Sequence, residues 1–199
     1  MARKAKSIAT RWQELTGERY ILPVNAIDEE PLRWHWIDYP VLSFSDVLAF
    51  TGLPKGRIES YSRRGLWDLT EVAETPGSGH HVLYSPRNVL KLLAIDRLAQ
   101  AGAWPECLKA AFETNRDFDL ILNGFQCRDF DIRAPYNPTC EIHMNDEVWA
   151  HFRSFGRFPD SSDLIESCVT LTFDVRLFLR GLMPKFVRFF AEAGVKVDD

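Results

Sequence analysis

Apolar and polar positions along the chain change period several times, and the clearest change begins at Ser43. In "SFSDVLAFTGLP" the residues Phe44, Val47, Leu48 and Phe50 recur at helical spacing, with Ser43 or Ser45 able to cap the start and Thr51-Gly52 able to end it. Leu53-Pro54 restarts the chain, and Pro54 suits a first helical turn because the N–H it lacks has no intrahelical partner there. A second short helix is predicted over 54–64. Ile58 and Tyr61, three apart, share its apolar side, while Lys55, Arg57, Glu59, Ser60, Arg63 and Arg64 occupy the remainder. Gly65 then offers the left-handed conformation in which helices often end.

Two extended pieces follow, over 69–74 and 80–84, joined through Pro76-Gly77-Ser78-Gly79, and this spacing predicts a hairpin. Ser85-Pro86 opens a third helix whose apolar positions Val89, Leu90, Leu92, Leu93, Ile95 and Leu98 are broad enough for a central buried element. Gly102 interrupts it and Pro105 starts another.

Upstream, residues 1–20 read as a partly helical arm. Trp34, Trp36 and Tyr39 nearly alternate, as in a short strand or an extended segment laid on the next unit. Downstream, residues 114–145 hold short apolar bursts and the turn-rich "APYNPT", which predict strands and loops. Residues 146–155 read as a helix, 166–173 as a β-branched strand, and 174–193 as a helix. The apolar stripe of that last helix is too wide for full exposure, so it is either core or a dimer interface.

A chain of 199 residues accommodates one medium domain or two small ones. The pattern divides it into a basic arm and extended lead-in at 1–40, a helical and hairpin unit at 41–113, and a small mixed α/β module at 114–199, which makes the expected class α+β. With 46% hydrophobic and 26% charged residues the composition is that of an ordinary folded protein. A net charge of −4 argues against a surface coated in cations for non-specific nucleic-acid binding, so any such surface is local. The arm is one basic region, since Arg3, Lys4, Lys6, Arg11 and Arg19 outnumber Glu14 and Glu18. No stretch has the pattern of a secretory signal or the apolar length of a membrane span, and the expectation is a cytoplasmic protein with no membrane association. Cys107, Cys127, Cys140 and Cys168 form no C-x-x-C pair, which predicts reduced, buried thiols and neither a metal centre nor a cofactor.

The stretches "SFSDVLAFTGLP", "GRIESYSRRGLW", "HHVLYS" and "PRNVLKLLAIDRLAQAGAWPECLKAA", in that order and at those distances, resemble the DNA-binding domain of the MerR-like family across about residues 41–113. The resemblance implies a winged helix-turn-helix domain in a bacterial transcriptional regulator. Its second helix, 54–65, would enter the major groove of double-stranded DNA, its wing, 69–84, would grip the flanking backbone, and the protein would act as a homodimer. The residues carried over are Lys55, Arg57, Ser60, Tyr61, Arg63 and Arg64 on the helix, and His80 and His81 on the wing. Where members of the family commonly have Arg-Tyr-Tyr, this chain has Glu59-Ser60-Tyr61. A carboxylate there repels phosphate but can accept a hydrogen bond from cytosine N4. Beyond residue 113 the chain departs from the single long dimer helix typical of the family.

The other function class consistent with these residues is a winged-helix protein–protein interaction module without DNA binding. An enzyme is not expected. Asp119, His143, Glu147 and His151 form no recognised catalytic constellation; the last three could share one side of a helix at four-residue spacing, but a solvated polar face explains them more simply. The His80-His81 pair has no carboxylate or cysteine at a suitable distance in its hairpin, so it is read as a polar wing tip and not as metal ligands.

Overall fold

The first helix, α1 (Ile8–Thr16), starts where the Ser7 hydroxyl accepts the Thr10 amide and stops at Gly17, whose φ is 73°. Ile8 and Trp12 lie one turn apart and are buried. In the computed structural model of the protein the described residues are 6–17, 36–67, 82–109, 112, 139–144, 149–153 and 169–197. Two cations of the expected basic arm have partners. Lys6 pairs with Glu14 at 2.6 Å, and Arg11 with Asp46 at 2.8 Å.

Residues 36–38 form a 3₁₀ turn, which corrects the strand or extended segment expected around Trp34–Tyr39; Trp34 itself lies outside the described residues. The reason is that Trp36 and Ile37, adjacent in sequence, are both fully buried. A strand with one face on a core sends consecutive residues to opposite sides, whereas a tight turn can bury both. Trp36 inserts edge-on against Phe186 and Phe190, at ring separations of 6.2 and 5.8 Å.

Helix α2 (Phe44–Thr51) carries a full capping box, in which the Ser43 hydroxyl accepts the Asp46 amide and the Asp46 carboxylate accepts the Ser43 amide. It ends at Gly52 in the left-handed region, φ 66°. Gly52-Leu53-Pro54 leads directly into α3 (Lys55–Arg63), and the Leu66 amide closes its far end on the Tyr61 carbonyl at 3.0 Å. Helix α4 (Pro86–Gln100) repeats the start of α2, with Ser85 and Asn88 as the capping box and Pro86 in its first turn. After Gly102, at φ 99°, comes the short α5 (Pro105–Lys109). Leu42 and Tyr84 exchange two backbone hydrogen bonds, 3.0 and 2.7 Å, as an antiparallel bridge, so the approaches to α2 and α4 are held side by side. The rest of the expected hairpin, residues 68–81, lies outside the described residues.

Strands β1 (Thr139–Met144), β2 (Trp149–Arg153) and β3 (Val169–Asp174) form an antiparallel sheet in the order β2-β1-β3. Cys140 stands opposite Phe152 and Phe173, and Glu141 opposite His151 and Thr172. The helix expected over 146–155 is therefore corrected: residues 149–153 are a strand. Pairing with β1, a non-local interaction, overrides the local reading, and His151 belongs to a strand opposite Glu141 rather than to a helix side shared with His143. The strand expected over 166–173 is observed as β3, shifted towards its C-terminal end.

Asp174 then caps α6 (Val175–Glu192), its carboxylate accepting the Leu177 amide at 2.9 Å. Leu179, Met183, Phe186, Val187 and Phe190 of α6 are buried in a hydrophobic cluster that also takes in Ile8, Trp12, Val47, Ile58, Val89 and Leu98. Phe186 stacks on Phe50 of α2 at 3.9 Å, and Phe190 meets Trp12 of α1 at 5.2 Å. The broad stripe of α6 is thus core, as one of its two sequence readings held. Helices dominate the described residues, with one small sheet. No helix among them is long and apolar enough to cross a membrane.

Candidate functional site

Helix α3 is fastened to the core by one side. Ile58 and Tyr61 are buried, and the next residues, Leu66 and Trp67, are buried as well. Trp67 stacks on Tyr84 at 5.1 Å and donates from Nε1 to the Asn88 carbonyl at 3.0 Å, which fixes the exit of α3 to the start of α4. With that side committed, the helical period turns the remainder outward.

The outward arc has three lines. Lys55, Glu59 and Arg63 follow one another at four-residue steps along one edge. Gly56 and Ser60 run along the middle, and Arg57 and Arg64 along the far edge. All but Ser60, which is half-buried, are exposed. A Cβ built on Gly56 would meet nothing within 4 Å, so small residues in the middle leave open space between two cationic edges. Lys55 lies 3.5 Å from Glu59 as an exposed pair, loose and easily screened. Arg63 donates from Nε to the Glu59 carbonyl at 3.4 Å, and Arg64 forms the C-cap. Pro54 has no side chain that can cap the first amides of α3, so the helix begins with uncapped donors.

Tyr61 stands apart from the other residues singled out by sequence. It is 7% exposed, and its hydroxyl donates to Asp96 Oδ1 at 2.9 Å. It therefore belongs to the inner side of α3, where Ile58 also lies. Arg57 forms an ion pair with the same carboxylate oxygen, its Nε 3.0 Å from Asp96 Oδ1. Gln100 donates to Asp96 Oδ2 from one turn further along α4. Burial, above all, pushes the Tyr61 phenol up from its usual value, with the Arg57 hydrogen bond pulling it down and Asp96 adding to the rise. The Arg57 pKa is raised, first by its hydrogen bond with Tyr61 and then by the Asp96 charge.

His80 and His81 lie outside the described residues. The structure thus brings Lys55, Arg57, Ser60, Arg63 and Arg64 onto one surface and turns Tyr61 away from it. Sequence reasoning missed Asp96. Its signal was present: a lone acid inside the apolar run Val89–Leu98 is a charge on a helix otherwise fit for burial, and such a charge needs a partner.

Beside α3 an open cleft of about 390 Å³ is lined by Phe44, Ile58, Trp67, Ser62, Glu59 and Arg63. No metal-ligating group of three or more His, Cys, Asp or Glu occurs among the described residues. Cys107 is buried, and burial pushes its thiol up, which makes it a poor nucleophile. The chain matches no family model and no curated protein.

Proposed function

We propose that the protein is a sequence-specific DNA-binding protein, a cytoplasmic MerR-like transcriptional regulator of bacterial type that acts as a homodimer. In this reading the unit around α2, α3 and α4 is a winged helix-turn-helix. Helix α3 enters a major groove, and the segment ending at Tyr84 is the wing. The observation that carries the reading is the outward arc of α3, two cationic edges flanking Gly56 and Ser60, on a chain whose net charge is −4. A helix in the major groove meets phosphates on both sides and base edges in the middle, and this arc has donors where the phosphates run and small residues where the bases approach. Ser60, in the middle of the arc, is proposed to touch bases, and Glu59, the one acid on the edge line and no partner for phosphate, is proposed to turn towards them as an acceptor for cytosine N4. Lys55, Arg57, Arg63 and Arg64 are proposed for phosphate.

The test is electrophoretic retardation on random-library DNA at low salt, repeated with Arg63→Ala. A retarded complex whose salt slope is reduced by about one in the variant supports the reading; no complex on any DNA overturns it.

Glu59 on the outward arc and the net charge of −4 favour a second reading, a winged-helix module that docks a protein partner. That reading predicts a stable partner in a pull-down and no footprint on DNA.

A further inference from the structure

We propose that Asp96 is a positioning residue for phosphate recognition: it holds Arg57 by one edge so that the terminal nitrogens of the guanidinium are presented in a fixed direction. The inference rests on the DNA-binding reading of α3. Asp96 lies on α4, is 4% exposed at its side chain, accepts from Tyr61 at Oδ1 and from Gln100 at Oδ2, and forms an ion pair with Arg57, whose Nε lies 3.0 Å from Oδ1. A buried carboxylate needs polar partners, and here two donors and a guanidinium supply them. Arg57, by contrast, is 41% exposed. Its Nε lies 3.0 Å from Asp96 Oδ1 as an ion pair, and all its N–H groups share one rigid plane. Because the guanidinium is planar, an ion pair that holds it against Asp96 restricts where the other donors lie, and two parallel N–H groups match the oxygens of a phosphate.

Two consequences separate orientation from mere charge. Asp96 offsets much of the Arg57 charge, so Arg57 adds little to attraction for arbitrary DNA and more to holding α3 in one register on a preferred site. A lysine at the same position keeps the charge but has no fork that can be anchored at one edge and bind at the other.

The experiment measures binding of the wild type, Asp96→Asn, Arg57→Lys, the double variant and Tyr61→Phe to a sequence selected by the wild type and to random DNA of equal length. Expected is a loss of about tenfold on the selected sequence for Asp96→Asn and for Arg57→Lys, the scale of one charge-assisted hydrogen bond. Binding to random DNA does not fall, and the double variant is no weaker than the weaker single one. Tyr61→Phe lowers the thermal midpoint yet keeps the wild-type ratio between the two DNAs, which separates loss of stability from loss of orientation. Arg57→Lys keeps the test decisive if Asp96→Asn does not fold, because it alters an exposed side chain. Wild-type behaviour of both single variants, or an equal loss on both DNAs, overturns the proposal while leaving DNA binding intact. A wild type that selects no sequence overturns the DNA reading and this inference with it.

Discussion

At the scale of single residues, Tyr61 links packing to chemistry. Its phenol is buried and donates to Asp96, so the neutral form is the one the fold accommodates. Burial raises the pKa of Tyr61 and of Tyr84 above the usual value of about 10. A group whose pKa is higher in the folded state than in the unfolded one contributes stability that is complete below the unfolded value and is lost as pH climbs through the folded one. Urea midpoints are therefore expected to be flat through neutral pH as far as these two groups are concerned, and to fall above about pH 10. Tyr61→Phe is expected to cost about 1–2 kcal/mol at pH 7 and to make the alkaline fall shallower, leaving the part due to Tyr84. Gly52 gives a second prediction of the same kind. At φ 66°, with nothing within 4 Å of an added Cβ, Gly52→Ala meets backbone strain alone and is expected to lose about 1–2 kcal/mol in urea unfolding. The need for Gly52 was legible in the sequence as a helix stop. The Tyr61–Asp96 bond was not, because the two residues are 35 positions apart and neither local period nor charge count joins them.

At the scale of elements, caps decided what could be read. Ser43, Ser85-Pro86 and Asp174 stand at the observed starts of α2, α4 and α6, and the side chains of Ser43, Ser85 and Asp174 each accept from an amide that the helix leaves unpaired. Ser43→Ala removes one such acceptor and is expected to lower stability by about 1 kcal/mol, seen as a shift in the thermal midpoint. Strand β2 lacked any comparable local mark. "WAHFR" is equally short of helix stops and strand boundaries, and what makes it a strand is its pairing with β1. The 3₁₀ turn at 36–38 was hidden for a related reason: Trp36 is drawn in by Phe186 and Phe190, about 150 residues downstream. Helix α6 shows how far such distant packing reaches. Phe186→Ala empties a fully buried site stacked on Phe50 of α2, and a loss of about 3–5 kcal/mol in chemical denaturation is expected. That is a large share of the roughly 5–15 kcal/mol that holds a typical domain together, so α6 acts as part of the core that seats α2, and through α2 the turn into α3.

At the scale of the whole molecule, charge and packing point the same way. The net charge is −4, and two N-terminal cations, Lys6 and Arg11, are engaged by Glu14 and Asp46. On α3, whose inner side is occupied by Ile58 and Tyr61, Lys55, Arg57, Arg63 and Arg64 gather with Glu59 as the single acid. The position of this arc was legible from the three-residue spacing of Ile58 and Tyr61. Its support by Asp96 from beneath was not, and Glu59, which departs from the MerR-like pattern, is the residue on which base preference is proposed to turn. The measurement that tests the account most directly is selection of bound duplexes from a random pool by the full chain. Enrichment of a two-fold symmetric motif with a C·G pair at equivalent places in both half-sites, changed at that place by Glu59→Gln, is the predicted result. A pool that stays random after repeated rounds at low salt would contradict it.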